Sequence, residues 1–133
     1  MEKKDTRQPV VCILGSDNKE AAEIRRILLN HAYPYRTETY TTVPALKSGL
    51  AAASCMAAIL DLDSVPLDNR AIRNLTLAFP SVCFLCASRD RFHPELKDAI
   101  CYHLFACLTK PIDPDELHYF LKCIRADFIG EAL

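Results

Sequence analysis

The chain has 133 residues, enough for one domain with a hydrophobic core and too few for two ordinary domains. Half of the residues are hydrophobic and a quarter are charged, as in soluble globular proteins, and no apolar stretch reaches the roughly 20 residues of a membrane span. The net charge of -1 gives no electrostatic reason to expect nucleic acid or an anionic membrane as a partner. The N-terminus, MEKKD, lacks the apolar core of a signal peptide, so we expect a cytoplasmic protein.

The first half of the chain alternates predicted strands with predicted helices. Val10–Leu14 is apolar throughout and is followed by a segment with helical periodicity. Residues 36–42 are polar, β-branched and aromatic, which predicts an edge strand, and residues 43–53 predict a second helix. Ala57–Asp61 is an apolar run that ends in a carboxylate. Such a run predicts a strand buried on both faces of a parallel sheet.

The second half continues this alternation and closes with a helix. The last helix has a strong start signal, with Asp113 as N-cap and Pro114 at the first helical position. The elements before it are a third helix that stops near Pro80, a strand over residues 82–87, a fourth helix that begins at Pro94 and a strand over residues 105–108. Five strands alternating with five helices predict a doubly wound α/β domain.

Polar side chains follow three of the predicted strands. Ser16 and Asp17 come after the first strand, Asp61 ends the third, and Lys110 comes after the fifth. Because the carboxyl ends of parallel strands lie at one edge of the sheet, we expect these side chains to converge on one pocket. Two carboxylates and a lysine would suit a magnesium ion and a phosphoryl group, with Asp61 as the nucleophile. Asp17 could equally serve only as a helix cap.

These motifs resemble those of the receiver domain of two-component response regulators. Asp61 falls at the family's phosphoacceptor position. The loop from Asp61 to Asn69 matches the pattern D-x-x-M-P-x-M-D-G in length and at both aspartates, although its Met, Pro and Gly are replaced. Lys110-Pro111 matches the Lys-Pro pair that follows the family's fifth strand.

The resemblance implies a fold and a domain division. It extends over residues 10–125 and implies a flavodoxin-like five-stranded parallel sheet of strand order 2-1-3-4-5 with five helices. Residues 1–9 would then be an N-terminal extension, and residues 126–133 a tail or the start of a linker.

The resemblance also implies a magnesium site. Asp17 and Asp61 would bind Mg²⁺ together with the backbone carbonyl of Asp63. Ser16 stands where the family has the first of two adjacent acidic residues, and its hydroxyl could hold a metal-bound water. We expect the Asp63 side chain to point away from the face of Asp61, which makes it the weaker candidate acceptor.

Phosphoryl transfer to Asp61 would come from a sensor histidine kinase or a phosphotransfer protein. Lys110 would neutralise charge on the transferring group. The family has Ser or Thr at the end of its fourth strand; strand alignment puts Cys86 there, whereas counting back from Lys110 favours Ser88. The family's aromatic switch position is Cys107, so switching by the usual coupling is in doubt.

Three other functions compete with this one. Ser16, Cys86 and Cys107 favour a pseudo-receiver that acts as a protein interaction module without phosphoryl chemistry. A thiol-based redox sensor would need an exposed pair of reactive cysteines. Most of the seven cysteines lie in apolar runs, and the C-x-x-C thiols of Cys83 and Cys86 would face opposite sides of a strand, so we expect buried thiols. An independent enzyme is the least expected function, because no further acid, base or cofactor loop is visible.

The last helix suggests a contact with a partner. Tyr119 and Cys123 lie off its inward stripe, and Phe128 and Ile129 continue apolar past the expected end of the fold. Such groups would suit a homodimer or an effector contact. A C-terminal effector domain in a longer chain would also give the receiver an output.

Overall fold

The computed structural model describes residues 9–30, 33, 35–52, 54–90 and 94–128. The predicted N-terminal extension, residues 1–9, and the predicted tail, residues 126–133, fall largely outside these ranges, as does Ile129. The domain boundaries therefore stay predictions.

The five predicted strands form one parallel sheet in the predicted order β2-β1-β3-β4-β5. Every residue of the central strand β3 is buried, because β3 pairs on both sides and is covered on both faces. The polar strand β2 pairs only with β1, which confirms it as an edge strand. The strands are β1 (Val10–Leu14), β2 (Arg36–Tyr40), β3 (Cys55–Asp61), β4 (Cys83–Ser88) and β5 (Ala106–Thr109).

The five predicted α-helices are also present, with small differences in their bounds. The fourth does not begin as an α-helix at Pro94: a single 3₁₀ turn, Pro94–Leu96, leads into it. The second ends at Ala52, and Ala53 is outside the described residues. The helices are α1 (Asn18–Leu29), α2 (Val43–Ala52), α3 (Asn69–Ala78), α4 (Lys97–Tyr102) and α5 (Pro114–Phe128).

Two hydrophobic layers hold the helices on the sheet. On one face, α1 and α5 bury their apolar stripes, including Ile24 and Leu121, against the sheet. On the other face, α2, α3 and α4 do the same, with Leu46 and Ile72 among the buried residues. None of the helices in the described part of the chain combines the length and the apolarity that crossing a bilayer requires. The sheet is thus covered by helices on both faces, and its carboxyl edge carries the polar groups described below.

Gly49 lets α2 lie close to the edge strand. A Cβ atom at this position would be only 2.0 Å from the Tyr40 hydroxyl oxygen and 2.2 Å from its Cζ. Glycine has a low helix propensity and so lowers the stability of α2. Its lack of a side chain leaves room for the Tyr40 ring between α2 and β2.

Candidate functional site

Five charged side chains meet at the carboxyl edge of the sheet. They come from the first turn of α1, the end of β3 and the loops that follow β3, β4 and β5. Three carboxylates and two cations leave one net negative charge in the group. We call this group the charged cluster; its members are Glu20, Asp61, Asp63, Arg89 and Lys110.

Asp61 is the most buried member of the charged cluster. It ends β3, and only 1% of its surface is exposed. Its Oδ1 accepts hydrogen bonds from Lys110 Nζ at 2.6 Å and from the Asp63 backbone N–H at 3.1 Å. Its Oδ2 accepts one from the Ser64 hydroxyl at 2.9 Å. Each carboxylate oxygen therefore accepts at least one hydrogen bond from the chain itself.

Lys110 connects all three carboxylates of the charged cluster. Its ammonium lies 3.1 Å from Asp63 Oδ2 and 3.2 Å from Glu20 Oε1, in addition to its bond to Asp61. Burial alone would lower the pKa of Lys110, but the hydrogen bonds to Asp61, Asp63 and Glu20 outweigh it and raise the pKa above its ordinary value. Lys110 is thus held as a cation. Its peptide bond to Pro111 is cis.

The expectation that the Asp63 side chain points away from Asp61 is wrong. Strand β3 ends at Asp61, and residues 62–64 form a turn, so strand alternation does not apply to Asp63. Its Oδ1 accepts from the Ser88 hydroxyl at 3.3 Å, and its Oδ2 accepts from the Arg89 backbone N–H at 3.0 Å. Burial alone would raise the pKa of Asp63, but hydrogen bonds from Lys110 and the Arg89 N–H lower it below its ordinary value.

Arg89 and Glu20 are members of the charged cluster that the sequence analysis missed. Arg89 follows β4 directly, and its guanidinium bonds Glu20 Oε2 at 2.7 Å and Asp63 Oδ2 at 3.4 Å. The available signal was position: Arg89 comes right after a strand end, and Glu20 lies in the first turn of the helix that follows β1. The Arg89 side chain is 62% exposed, so it forms the outer rim of the cluster.

Of the two candidates at the end of β4, the structure brings Ser88 to the charged cluster. Ser88 is 3% exposed and bonds Asp63, as described above. Cys86 lies opposite Leu60, one position before Asp61, and its thiol contacts Cys107 instead. The geometry therefore does not support Cys86 as a phosphoryl contact.

The residues that follow β1 do not bring a carboxylate to Asp61. Gly15 is the first of them, and a Cβ built there would lie 3.5 Å from Asp61 Oδ2. Ser16 donates its hydroxyl proton to the Ser64 carbonyl at 2.9 Å. Asp17 caps α1 by accepting from the backbone N–H of Lys19 and Glu20 at 2.9 and 3.3 Å. Ser16 and Asp17 were expected to converge on Asp61. The residues in those places are instead Gly15, which lies beside Asp61, and Ser16, which bonds Ser64, so both are one position earlier in the chain than expected.

The donor set does not fit a magnesium ion. All four carboxylate oxygens of Asp61 and Asp63 already accept hydrogen bonds, while the Asp17 carboxylate is used as a cap. Within the described ranges, no three His, Cys, Asp or Glu side chains are grouped so that they could hold a metal ion. Mg²⁺ favours several oxygen ligands with octahedral geometry. Here Lys110 and Arg89 bond one oxygen of each aspartate, and the hydroxyl groups of Ser64 and Ser88 bond the other. Asp17, Asp61 and Ser16 as metal ligands therefore stay predictions that this geometry does not support. The backbone carbonyl of Asp63 as a ligand stays a prediction that these side-chain contacts do not test.

A pocket opens beside the charged cluster and does not reach Asp61. It lies between the first turns of α1 and the segment after β5, and its lining includes Glu20, Ile24, Arg89, Lys110 and Ile112. Asp61 is not among its lining residues, because Lys110 lies between the pocket and the aspartate.

Comparison with known proteins gives one consistent result, at the level of the fold. A scan against protein-family models found no match, and a search of curated proteins found none. Among solved structures, the signal receiver domain of an HD domain-containing protein from Pseudomonas fluorescens Pf-5 is similar, with 18% identity and a TM-score of 0.81 over 98% of this chain and 96% of that one.

Two further solved structures agree with it. A CheY-like response regulator receiver domain from Methanospirillum hungatei JF-1 matches with 13% identity and a TM-score of 0.78 over 94% of this chain and 99% of that one. The response regulator RcsB from Salmonella typhimurium, described in connection with DNA interaction, matches with 19% identity and a TM-score of 0.75 over 89% of this chain and 61% of that one. This chain has the fold that these proteins share.

Proposed function

We propose that this chain, which has the fold of response-regulator receiver domains, is a signal-receiver module that acts through protein contacts without taking a phosphoryl group on Asp61. One observation carries the proposal: both Asp61 oxygens already accept hydrogen bonds, from Lys110, Ser64 and the Asp63 backbone. This corresponds to the pseudo-receiver alternative of the sequence analysis.

The burial of Asp61 supports this proposal on chemical grounds. A carboxylate that attacks a phosphorus atom needs an exposed lone pair and an approach in line with the leaving group. The Asp61 side chain is 2% exposed, so a donor would first have to displace Lys110 or Ser64. Each displacement would break a charge-assisted or buried hydrogen bond, which adds to the barrier.

The charge balance supports it as well. A phosphorylation site must hold several negative charges close together, and cations that are not already paired lower that cost. Here Lys110 and Arg89 are paired with the three carboxylates of the charged cluster. Gly15 and Ser16 add no carboxylate that could recruit a divalent ion to Asp61.

A second candidate is phosphorylation of Asp61 by a sensor histidine kinase or a phosphotransfer protein. It is favoured by one specific observation, that Lys110 and Ser88 lie at the same edge as Asp61 and Asp63. In that case Asp61 Oδ1 or Oδ2 would attack after Ser64 or Lys110 had moved, and Lys110 and Arg89 would face the transferred group.

Both candidates are signalling roles rather than independent enzyme activities. The output would pass to an effector domain or a second copy of the chain, and we expect it to use the face formed by β5 and α5. Phe105 and Tyr119 are 46% and 63% exposed there. Large apolar side chains in such a position suit a protein contact.

The experiment that separates the two candidates is intact mass spectrometry after incubation with acetyl phosphate and excess Mg²⁺. The wild type and Asp61→Asn are treated in parallel and quenched in acid, and their folding is checked by circular dichroism. We expect no gain of a phosphoryl group in either protein. A gain in the wild type that Asp61→Asn abolishes would overturn the proposal and support the second candidate.

A further inference from the structure

Two cysteine side chains from neighbouring strands face each other on the sheet. Cys86 in β4 and Cys107 in β5 are register partners, and their sulfur atoms are 3.0 Å apart. Neighbouring strands are spaced about 4.8 Å apart, within the range of Cα separations that a disulfide can bridge. The pair is therefore distinct from the C-x-x-C motif, whose two cysteines both belong to β4.

One member of this pair is accessible and the other is not. Cys107 lies on the edge strand β5 and is exposed, whereas Cys86 is 1% exposed. A small reagent in solution can thus reach Cys107 first. The arrangement is the one that an attacking thiol and a resolving thiol need.

A second close pair provides an internal comparison. The sulfur atoms of Cys12 and Cys55 are 3.2 Å apart, close to the separation in the first pair. Both residues are buried, with exposures of 2% and 4%. Because the separations are alike and the exposures differ, we expect access to solvent to favour reaction of Cys86 and Cys107 over Cys12 and Cys55.

The hydrogen bond between Cys86 and Cys107 also favours attack by Cys107 before attack by Cys86. The Cys86 thiol donates to the Cys107 sulfur, and this hydrogen bond together with burial raises the pKa of Cys86 above its ordinary value. Cys86 therefore keeps its proton while Cys107 attacks. Once the Cys107 sulfur is bonded to another sulfur, the leaving thiolate can take the Cys86 proton.

We propose that Cys86 and Cys107 form a reversible disulfide by exchange with a low-molecular-weight disulfide, and that this modification joins β4 to the edge strand β5. The Cys107 thiolate attacks one sulfur of the small disulfide, forms a mixed disulfide and releases one small thiol. Cys86 then attacks the Cys107 sulfur, the mixed bond breaks and the second small thiol leaves. Two cysteine thiols are oxidised to one disulfide, and one small disulfide is reduced to two thiols.

The test uses the whole reduced chain and glutathione disulfide as the probe. After incubation, the chain is unfolded in denaturant and its remaining thiols are blocked with N-ethylmaleimide. Intact mass is measured before and after treatment with dithiothreitol and a second alkylation. We expect the wild type to lose two hydrogens and two alkylation sites, and dithiothreitol to restore both. All seven cysteines should be alkylated in the reduced, denatured chain, which calibrates the count.

Variants assign the bond, because trypsin leaves Cys83 with Cys86 in one peptide and Cys101 with Cys107 in another. Cys86→Ser should trap the mixed disulfide on Cys107, with a gain of about 305 Da and no internal bond. Cys107→Ser should prevent the internal bond. Cys83→Ser and Cys101→Ser should behave as the wild type, and so should Cys55→Ser, which removes the buried pair.

Two results would overturn the proposal. One is a folded wild type that keeps both thiols under conditions that oxidise a model dithiol. The other is an internal bond that persists in Cys107→Ser, a substitution at an exposed position that leaves the core intact. If Cys86→Ser does not fold, the Cys107→Ser result alone decides between these outcomes.

Discussion

The ammonium of Lys110 lies 2.6 Å from the carboxylate of Asp61, although the strands that carry the two residues are not neighbours. Lys110 follows β5, Asp61 ends β3, and β4 lies between them. The lysine therefore reaches across the end of one whole strand to neutralise a buried carboxylate. The pair connects the edge of the sheet to its centre.

Lys110→Met should strongly destabilise the fold, because it leaves the Asp61 carboxylate buried without its cation. Removal of one partner from a buried pair costs about 3–5 kcal/mol in the free energy of unfolding. Urea denaturation at neutral pH measures the loss, and Lys47→Met at an exposed helical position is the matched control. The double variant Asp61→Asn/Lys110→Met should recover part of the loss, whereas a loss below about 1 kcal/mol in Lys110→Met would contradict this account.

Asp17→Ala should cost about 1 kcal/mol, because the Asp17 carboxylate caps α1. Asp17→Asn keeps a capping oxygen and should stay within about 0.5 kcal/mol of the wild type. Thermal or urea unfolding of the two variants measures the difference. Equal destabilisation by Ala and Asn would mean that the negative charge, and not the cap, is what the position requires.

Gly49→Ala should destabilise the protein even though alanine is the better helix former. The new methyl group would meet the Tyr40 ring at 2.0 Å from its hydroxyl oxygen, so the ring has to move. We expect a cost of about 2–3 kcal/mol, the upper part of the range for overpacking, which exceeds the gain of about 1 kcal/mol in helix propensity. In a Tyr40→Ala background the clash is absent, so the same substitution should be neutral or stabilising. A double-mutant cycle by urea denaturation tests this sign change; the same effect in both backgrounds would refute the contact.

Stability should depend on pH through Asp63 and Lys110. The folded pKa of Asp63 is lowered, so its contribution is present above the ordinary aspartate pKa of about 3.9 and is lost as pH falls through the folded value. The folded pKa of Lys110 is raised, so its contribution is present below about pH 10.4 and is lost as pH rises through the folded value. Urea unfolding across this range should show an acid limb that Asp63→Asn makes shallower. An acid limb of unchanged slope in that variant would argue against the role of Asp63.

The sequence was sufficient to predict the individual strands, because their signals are local, whereas the strand order came from the resemblance to receiver domains. A strand such as β3 is buried on both faces and so reads as an unbroken apolar run, and polar β2 reads as an edge. Asp61 and Lys110 could be predicted to lie at one edge because the carboxyl ends of parallel strands lie at the same edge of a sheet. Helix ends were less certain, as the 3₁₀ turn before α4 shows, because terminal hydrogen bonds depend on tertiary packing.

The charged cluster was predicted less completely, because side-chain directions in turns are set by contacts distant in sequence. Asp63 turns inward to meet Ser88 and Arg89, which lie more than 20 residues away. The offset of one residue after β1 puts Gly15 and Ser16 where Ser16 and Asp17 were expected, and only the contacts of Gly15 and the cap formed by Asp17 reveal it. The contact between Cys86 and Cys107 likewise depends on the register of two strands, which composition does not encode.

The chain's own donors bond every carboxylate oxygen of Asp61 and Asp63, and we expect them to outcompete a divalent ion. The variant Gly15→Asp/Arg89→Ala shifts this balance toward an ion: it adds a carboxylate beside Asp61 Oδ2, where a Cβ fits at ordinary contact distance, and removes the guanidinium that bonds Asp63 and Glu20. An ion that binds the folded state at ten times its Kd stabilises it by ~1.4 kcal/mol. Controls at equal ionic strength in NaCl remove general screening effects.

The most direct measurement is therefore the unfolding midpoint of the wild type and of this double variant, with and without about 10 mM Mg²⁺. We expect the wild-type midpoint to stay the same and the midpoint of the double variant to rise with Mg²⁺. A wild-type midpoint that rises with Mg²⁺ and not with NaCl would show that the Asp61 site binds the ion as it stands, and would contradict the account.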